Sequence, residues 1–230
     1  MRSGAFLKSA RVAADQAAGL RRNASAAGRQ TRRSPCCITS LSAAAGSSLR
    51  LADALHRIGQ SVLLADASGR LFAGASPRSL FDWKHQLERR QLQTLPQHFG
   101  DGWYAPGVRA DDPALPVVTS DYDQVILDRG WDGELAVAPG AAHVVVIAID
   151  RGGESMRRAY AVLKTLACSP HAVSVSLLGE PAACDHVLAA ASRFLDPRFA
   201  QSIFNAAEED DAFAALAVRI AGEETGPTAC

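Results

Sequence analysis

The chain has 230 residues, of which 48% are hydrophobic, and its formal net charge is zero. That is enough apolar material for one large α/β domain with a tail, and no apolar run is long enough to cross a membrane as a helix. Five cysteines, an odd number with no C-x-x-C pair, argue against a disulfide framework and against a zinc site, and point to a reducing, cytoplasmic setting.

Charge is unevenly placed along the chain. The first 35 residues carry Arg2, Lys8, Arg11, Arg21, Arg22, Arg29, Arg32 and Arg33 against one acid, Asp15. The far end is acidic, with Glu208, Glu209, Asp210, Asp211, Glu223 and Glu224. Residues 5–22 are good helix formers whose apolar side chains make no continuous stripe, so a helix there is marginal alone and suited to folding on a partner. Residues 23–35 are small, polar and basic and read as a linker. The basic arm thus spans 1–35, the main domain 36–222 and a tail 223–230. An Arg-, Ala- and Ser-rich arm nearly free of acids also has the composition of a mitochondrial transit peptide, and it lacks the apolar core of a secretory signal.

In the main domain, Cys37 to Leu41 is an apolar-leaning strand, and Ser42 to Ser48 (SAAAGSS) is a run of tiny residues where the chain turns. Leu51, Leu55 and Ile58 recur at helical spacing, Gly59 is a helix stop, and Ser61 to Asp66 is a second strand ending in an acid. Strand, turn, helix and strand make a right-handed βαβ unit. Leu71 to Pro77 reads as loop, Leu80 to Leu92 as a charged helix, Trp103-Tyr104 as a short strand and Pro106 to Pro116 as loop. Asp123 to Asp128 is a strand with a terminal acid, and His143 to Asp150 (HVVVIAID) is apolar on both faces, as a central parallel strand is. A helix over Ser155 to Ala167, with Met156, Tyr160, Leu163 and Ala167 on one face, leads to a strand over Ala172 to Leu178 and a helix over Ala182 to Phe194. Phe199 to Phe204 reads as an edge strand and Asp211 to Ala221 as the last helix. This alternation predicts an α/β fold: a doubly wound, mostly parallel sheet with helices on both faces.

Nucleotide-binding βαβ units carry GxxxxGK[ST] in the first loop, because backbone N–H groups cradle phosphate and the Lys neutralises it. Here Gly46 is present, Ser47 stands in the Lys place and Ser48 in the [ST] place. The plain alternative is that Gly46 makes the turn, that Ser48 caps the helix, and that Asp66 and Asp128 simply end strands. The six histidines are scattered singly, so neither a metal centre nor a Cys-His nucleophile is expected.

Three stretches carry a family resemblance. Ser40 to Asp66 is similar to the deviant Walker-A loop, helix, Gly and strand of MinD/ParA-type ATPases. Ser155 to Lys164 (SMRRAYAVLK), after the strand and Glu of Val144 to Glu154, resembles the AYAxLK helix of the FlhG (FleN) branch, the flagellar-number regulators. Asp15 to Arg21 (DQAAGLR) matches that branch's N-terminal DQAxxLR motif, and Tyr104 to Gly107 resembles its LPAG strand end.

The resemblance implies a P-loop NTPase-like fold, but the site departs from the family pattern. Ser42 and Ser47 stand where the two motif lysines would be, and Ser68 where a water-orienting Asp would be. The run Asp128-Arg129-Gly130-Trp131-Asp132 keeps only the first residue of the D-T-x-x-G switch, and Trp131 is hard to fit against a nucleotide. The base-reading Asn is absent near Ser174 to Ser176. Losing the lysines removes the charge that stabilises phosphoryl transfer. What survives is a degenerate nucleotide site of Gly46, Ser47, Ser48, Asp66 and Asp128, with no resident cofactor or metal expected beyond weak Mg²⁺ or ATP binding through Ser48 and Asp128.

The resemblance therefore implies a pseudo-ATPase whose N-terminal helix stimulates a signal-recognition-type GTPase of the FlhF kind. In that role Gln16 acts in trans on the partner's attacking water, while Asp15, Leu20 and Arg21 make the docking contacts. Further implied partners are flagellar basal-body components, with no direct nucleic-acid binding and with recruitment to the inner face of the cell membrane at flagellar sites. Two alternatives stand beside it: an active MinD-like ATPase cycling between membrane and cytosol, and a MinD-like accessory protein of another export machine.

Overall fold

The structure is a computed structural model that describes residues 35–44, 46–72, 74, 83–131, 135–137, 142–209 and 211–223. Asp15, Gln16, Leu20 and Arg21 lie outside the described residues. The elements in chain order are β1 (Cys36–Leu41), α1 (Gly46–Arg57), β2 (Val62–Asp66), α2 (Trp83–Arg89), β3 (Leu95–Gln97), β4 (Gly100–Tyr104), α3 (Leu115–Val118) and β5 (Gln124–Asp128). They continue with β6 (His143–Ile149), α4 (Gly153–Ala167), β7 (Ser174–Gly179), α5 (Pro181–Phe194), α6 (Pro197–Ser202), β8 (Phe204–Asn205) and α7 (Ala212–Glu223).

The strands form one sheet in the order β3-β4-β2-β5-β1-β6-β7-β8. Every pairing is parallel except the β3–β4 hairpin. The chain is doubly wound: from β1 it moves outward to β2, and from β5 it crosses β1 to begin the other half at β6. In such sheets ligand sites open at the carboxyl ends of the strands where the order reverses, here at β1.

Side-chain alternation sorts the core into two faces. On one, Ile38, Leu64, Ile126 and Val146 pack under Leu51 and Leu55 of α1 and Leu216 and Ile220 of α7. On the other, Val145, Ile147 and Leu177 pack under Leu163 of α4 and Val187 of α5. Beside them Leu63, Val125 and Leu127 meet Leu87 of α2, Leu115 of α3 and the fully buried Trp103. Parallel strands covered on both faces read as near-continuous apolar runs. β1, β2, β5 and β6 are accordingly buried along their whole length.

The end of α1 shows how the sequence sets a boundary. Gly59 has φ +89°, its N–H donates to His56 O, and Gln60 N–H donates to Leu55 O. This is a Schellman stop, which needs a left-handed residue. It places Ile58 at the helix cap, where it is 41% exposed rather than part of the buried stripe with Leu51 and Leu55.

Two expectations are corrected and a third is extended. The buried stripe of α4 is Ser155, Ala159, Leu163 and Leu166, not Met156, Tyr160, Leu163 and Ala167. Small residues let the helix start close to the sheet, where Ser155 Oγ accepts from Asp150 N–H, and Met156 and Tyr160 turn to the flank shared with His186 and Val187. Phe199 to Ser202 is helical, not an edge strand. Asp196 Oδ1 accepts from Arg198 and Phe199 N–H groups and Pro197 occupies the first turn, a complete helix-start signal. Trp103-Tyr104 is a strand as expected, and it is the end of a longer one, Gly100–Tyr104, paired with β2 and β3.

Candidate functional site

The site is built from a row in register across three strands. Ser40 on β1 pairs with Asp128 on β5, and Asp128 pairs with Asp66 on β2. Each follows by two positions a core residue of the α1 face (Ile38, Ile126 and Leu64), so all three point toward α1 at the carboxyl edge of the sheet. All three are buried, and Asp128 is 0% exposed. Above them begins α1, whose Ser48 is also fully buried.

Ser48 Oγ lies 2.6 Å from Asp128 Oδ1 and 2.9 Å from Ser40 Oγ. With a single proton, Ser48 donates to the carboxylate and accepts from Ser40. Its hydroxyl is turned down into the site, so the expected helix-capping role is corrected. Ser48 lies within α1, and a buried carboxylate is the stronger claimant for its proton. Ser68 Oγ donates to Asp128 Oδ2 at 2.7 Å.

Asp66 has a different task. Its Oδ1 accepts from Arg70 N–H at 3.0 Å, and its Oδ2 accepts from Leu71 and Phe72 N–H groups at 2.8 Å each. It therefore caps the turn after β2 and fixes where the Arg70 side chain departs. That side chain is the residue sequence reasoning missed. Arg70 Nε donates to Asp128 Oδ2 and Nη2 to Asp128 Oδ1, both at 2.8 Å, a bidentate fork. Nη2 also reaches Ser42 Oγ at 3.0 Å, and Nη1 reaches the carbonyls of Ser42 and Ala43 at 2.9 and 3.0 Å.

Two consequences follow for a nucleotide with Mg²⁺. Asp128 already accepts from Ser48, Ser68 and both arms of Arg70, which uses the lone pairs of both carboxylate oxygens. The loop after β1 turns the carbonyls of Ser42 and Ala43 toward a cation, where a phosphate cradle would turn N–H groups toward an anion. With Arg70 in place, these residues do not fit a metal-bound triphosphate.

The remaining predicted positions are spread out. Gly46 opens α1, and a Cβ added to it would meet nothing within 4 Å, so close approach is not the reason for glycine there. Ser47 lines a separate cleft of about 680 Å³ with Arg50, Arg151, Glu180 and Phe213. In that cleft Arg50 stacks over Phe213 at 4.0 Å and Arg151 pairs with Glu180 at 3.0 Å. Ser174 and Ser176 lie within β7, whose carboxyl end is Gly179, so Glu180 and not a serine stands at the sheet edge. Trp131 packs against the α4–α5 side of the core.

Buried reactive groups elsewhere are chemically quiet. His143 lies 2.9 Å from Thr39 Oγ1, and burial pushes its pKa down to about 4, so it is neutral near pH 7. Burial pushes the Cys37 thiol up to about 12, and burial with the nearby Asp185 and Glu180 does the same to Cys184. Neither is a thiolate nucleophile at neutral pH. Among the described residues, no group of three His, Cys, Asp or Glu side chains is placed to hold a metal ion.

No known protein family profile and no curated protein matches the chain. Among solved structures it is similar to a ParA family ATPase from Chlorobium tepidum TLS, at 15% identity and a TM-score of 0.43. That likeness covers 84% of this chain and 94% of the other. A likeness this distant speaks neither to ligand nor to activity; the fold class rests on the strand order itself.

Proposed function

We propose that this chain is a non-hydrolysing regulator on a MinD/ParA-like scaffold, of the flagellar-number type, acting through its N-terminal arm on a signal-recognition-type GTPase. The observation that carries the non-hydrolysing part is the Arg70 fork on Asp128 beneath the loop that would have held phosphate. A site whose acid is saturated by the chain's own guanidinium has no reason to turn over ATP. The DQAAGLR motif carries the partner, and Gln16 is suited to the role because its amide both donates to and accepts from an attacking water.

The competing reading, an ATPase that cycles on a membrane, needs an apolar helix face free for lipid. In α7, Leu216, Ala217 and Ile220 are instead buried against α1 and the sheet. No described helix is long and apolar enough to cross a membrane.

The experiment is GTP hydrolysis by the flagellar signal-recognition-type GTPase with and without the full chain. The expected result is stimulation of at least tenfold by the wild type, with most of it lost in Gln16→Ala, in line with the size of in-trans contributions to such reactions. An unchanged rate at saturating protein, or equal stimulation by Gln16→Ala, would remove the proposal.

A further inference from the structure

We draw no further inference here: the strongest candidate, the cleft of about 680 Å³ between α1 and α7 at the carboxyl ends of β6 and β7, belongs to the ligand edge of the nucleotide-binding scaffold already described, and the acids on its rim, Asp150, Glu209 and Asp211, are exposed with nothing in the structure to show what they would hold.

Discussion

Arg70→Ala should destabilise the folded domain by about 3 kcal/mol, more than the removal of the acid it pairs with. The asymmetry comes from burial. The Asp128 side chain is 0% exposed while that of Arg70 is 25% exposed. Removing the arginine leaves a fully buried carboxylate with only the Ser48 and Ser68 hydroxyls, whereas Asp128→Ala leaves a guanidinium that still bonds the Ser42 and Ala43 carbonyls and touches water. The second change should cost about 1–2 kcal/mol. A buried ion pair need not stabilise relative to apolar residues that fill the same space. The double variant Arg70→Met/Asp128→Leu should therefore recover much of the loss. Urea unfolding of the four proteins checks the order. An Arg70→Ala midpoint equal to wild type would mean the fork contributes nothing.

Gly179→Ala should be more damaging still, by about 4 kcal/mol, enough to leave much of the chain unfolded given ordinary domain stabilities. Gly179 ends β7 with φ +121°, opposite Ile149 on β6. A Cβ placed there would lie 2.2 Å from Ile149 O, the same carbonyl that accepts from Glu180 N–H at 3.0 Å. The obstacle is backbone, so no rotamer change relieves it. Gly46→Ala is the control, since its methyl would meet nothing within 4 Å and would replace glycine at a helical position. It should be neutral or stabilising by a few tenths of a kcal/mol. Chemical unfolding of both variants reads the contrast, and similar midpoints would refute the steric account.

The fold was legible because each strand carries its own signal. HVVVIAI can only be a strand buried on both faces, and DQVILD and SVLLAD end in acids that the register then sets side by side. The winding order followed from helices alternating with strands. Less legible were segments whose type is set by capping and not by periodicity. At 196–202, Asp196 and Pro197 start a helix that aromatic residues disguised as strand. In α4 the AYAxLK pattern is partly a packing pattern, since Ala159 and Leu163 are the buried positions and Tyr160 is not.

The site was half legible. Ser48, Asp66, Ser68 and Asp128 do come together, yet what they hold was invisible from the loop alone. Buried acids beside a loop that carries no lysine pose a charge problem, and a nearby cation solves it. Arg70, two residues past Ser68, was the available one. It went unread because it falls outside the motif being matched, and because its reach depends on the turn that Asp66 caps.

The central claim is that a guanidinium of the chain's own occupies the place of metal and phosphate. Isothermal titration of the full wild-type chain with ATP in the presence of Mg²⁺ tests it most directly. The account predicts no saturable heat up to about 1 mM nucleotide, because binding would have to break the Arg70–Asp128 fork and reverse the loop carbonyls. Micromolar binding, with a dissociation free energy near 8 kcal/mol, would contradict it.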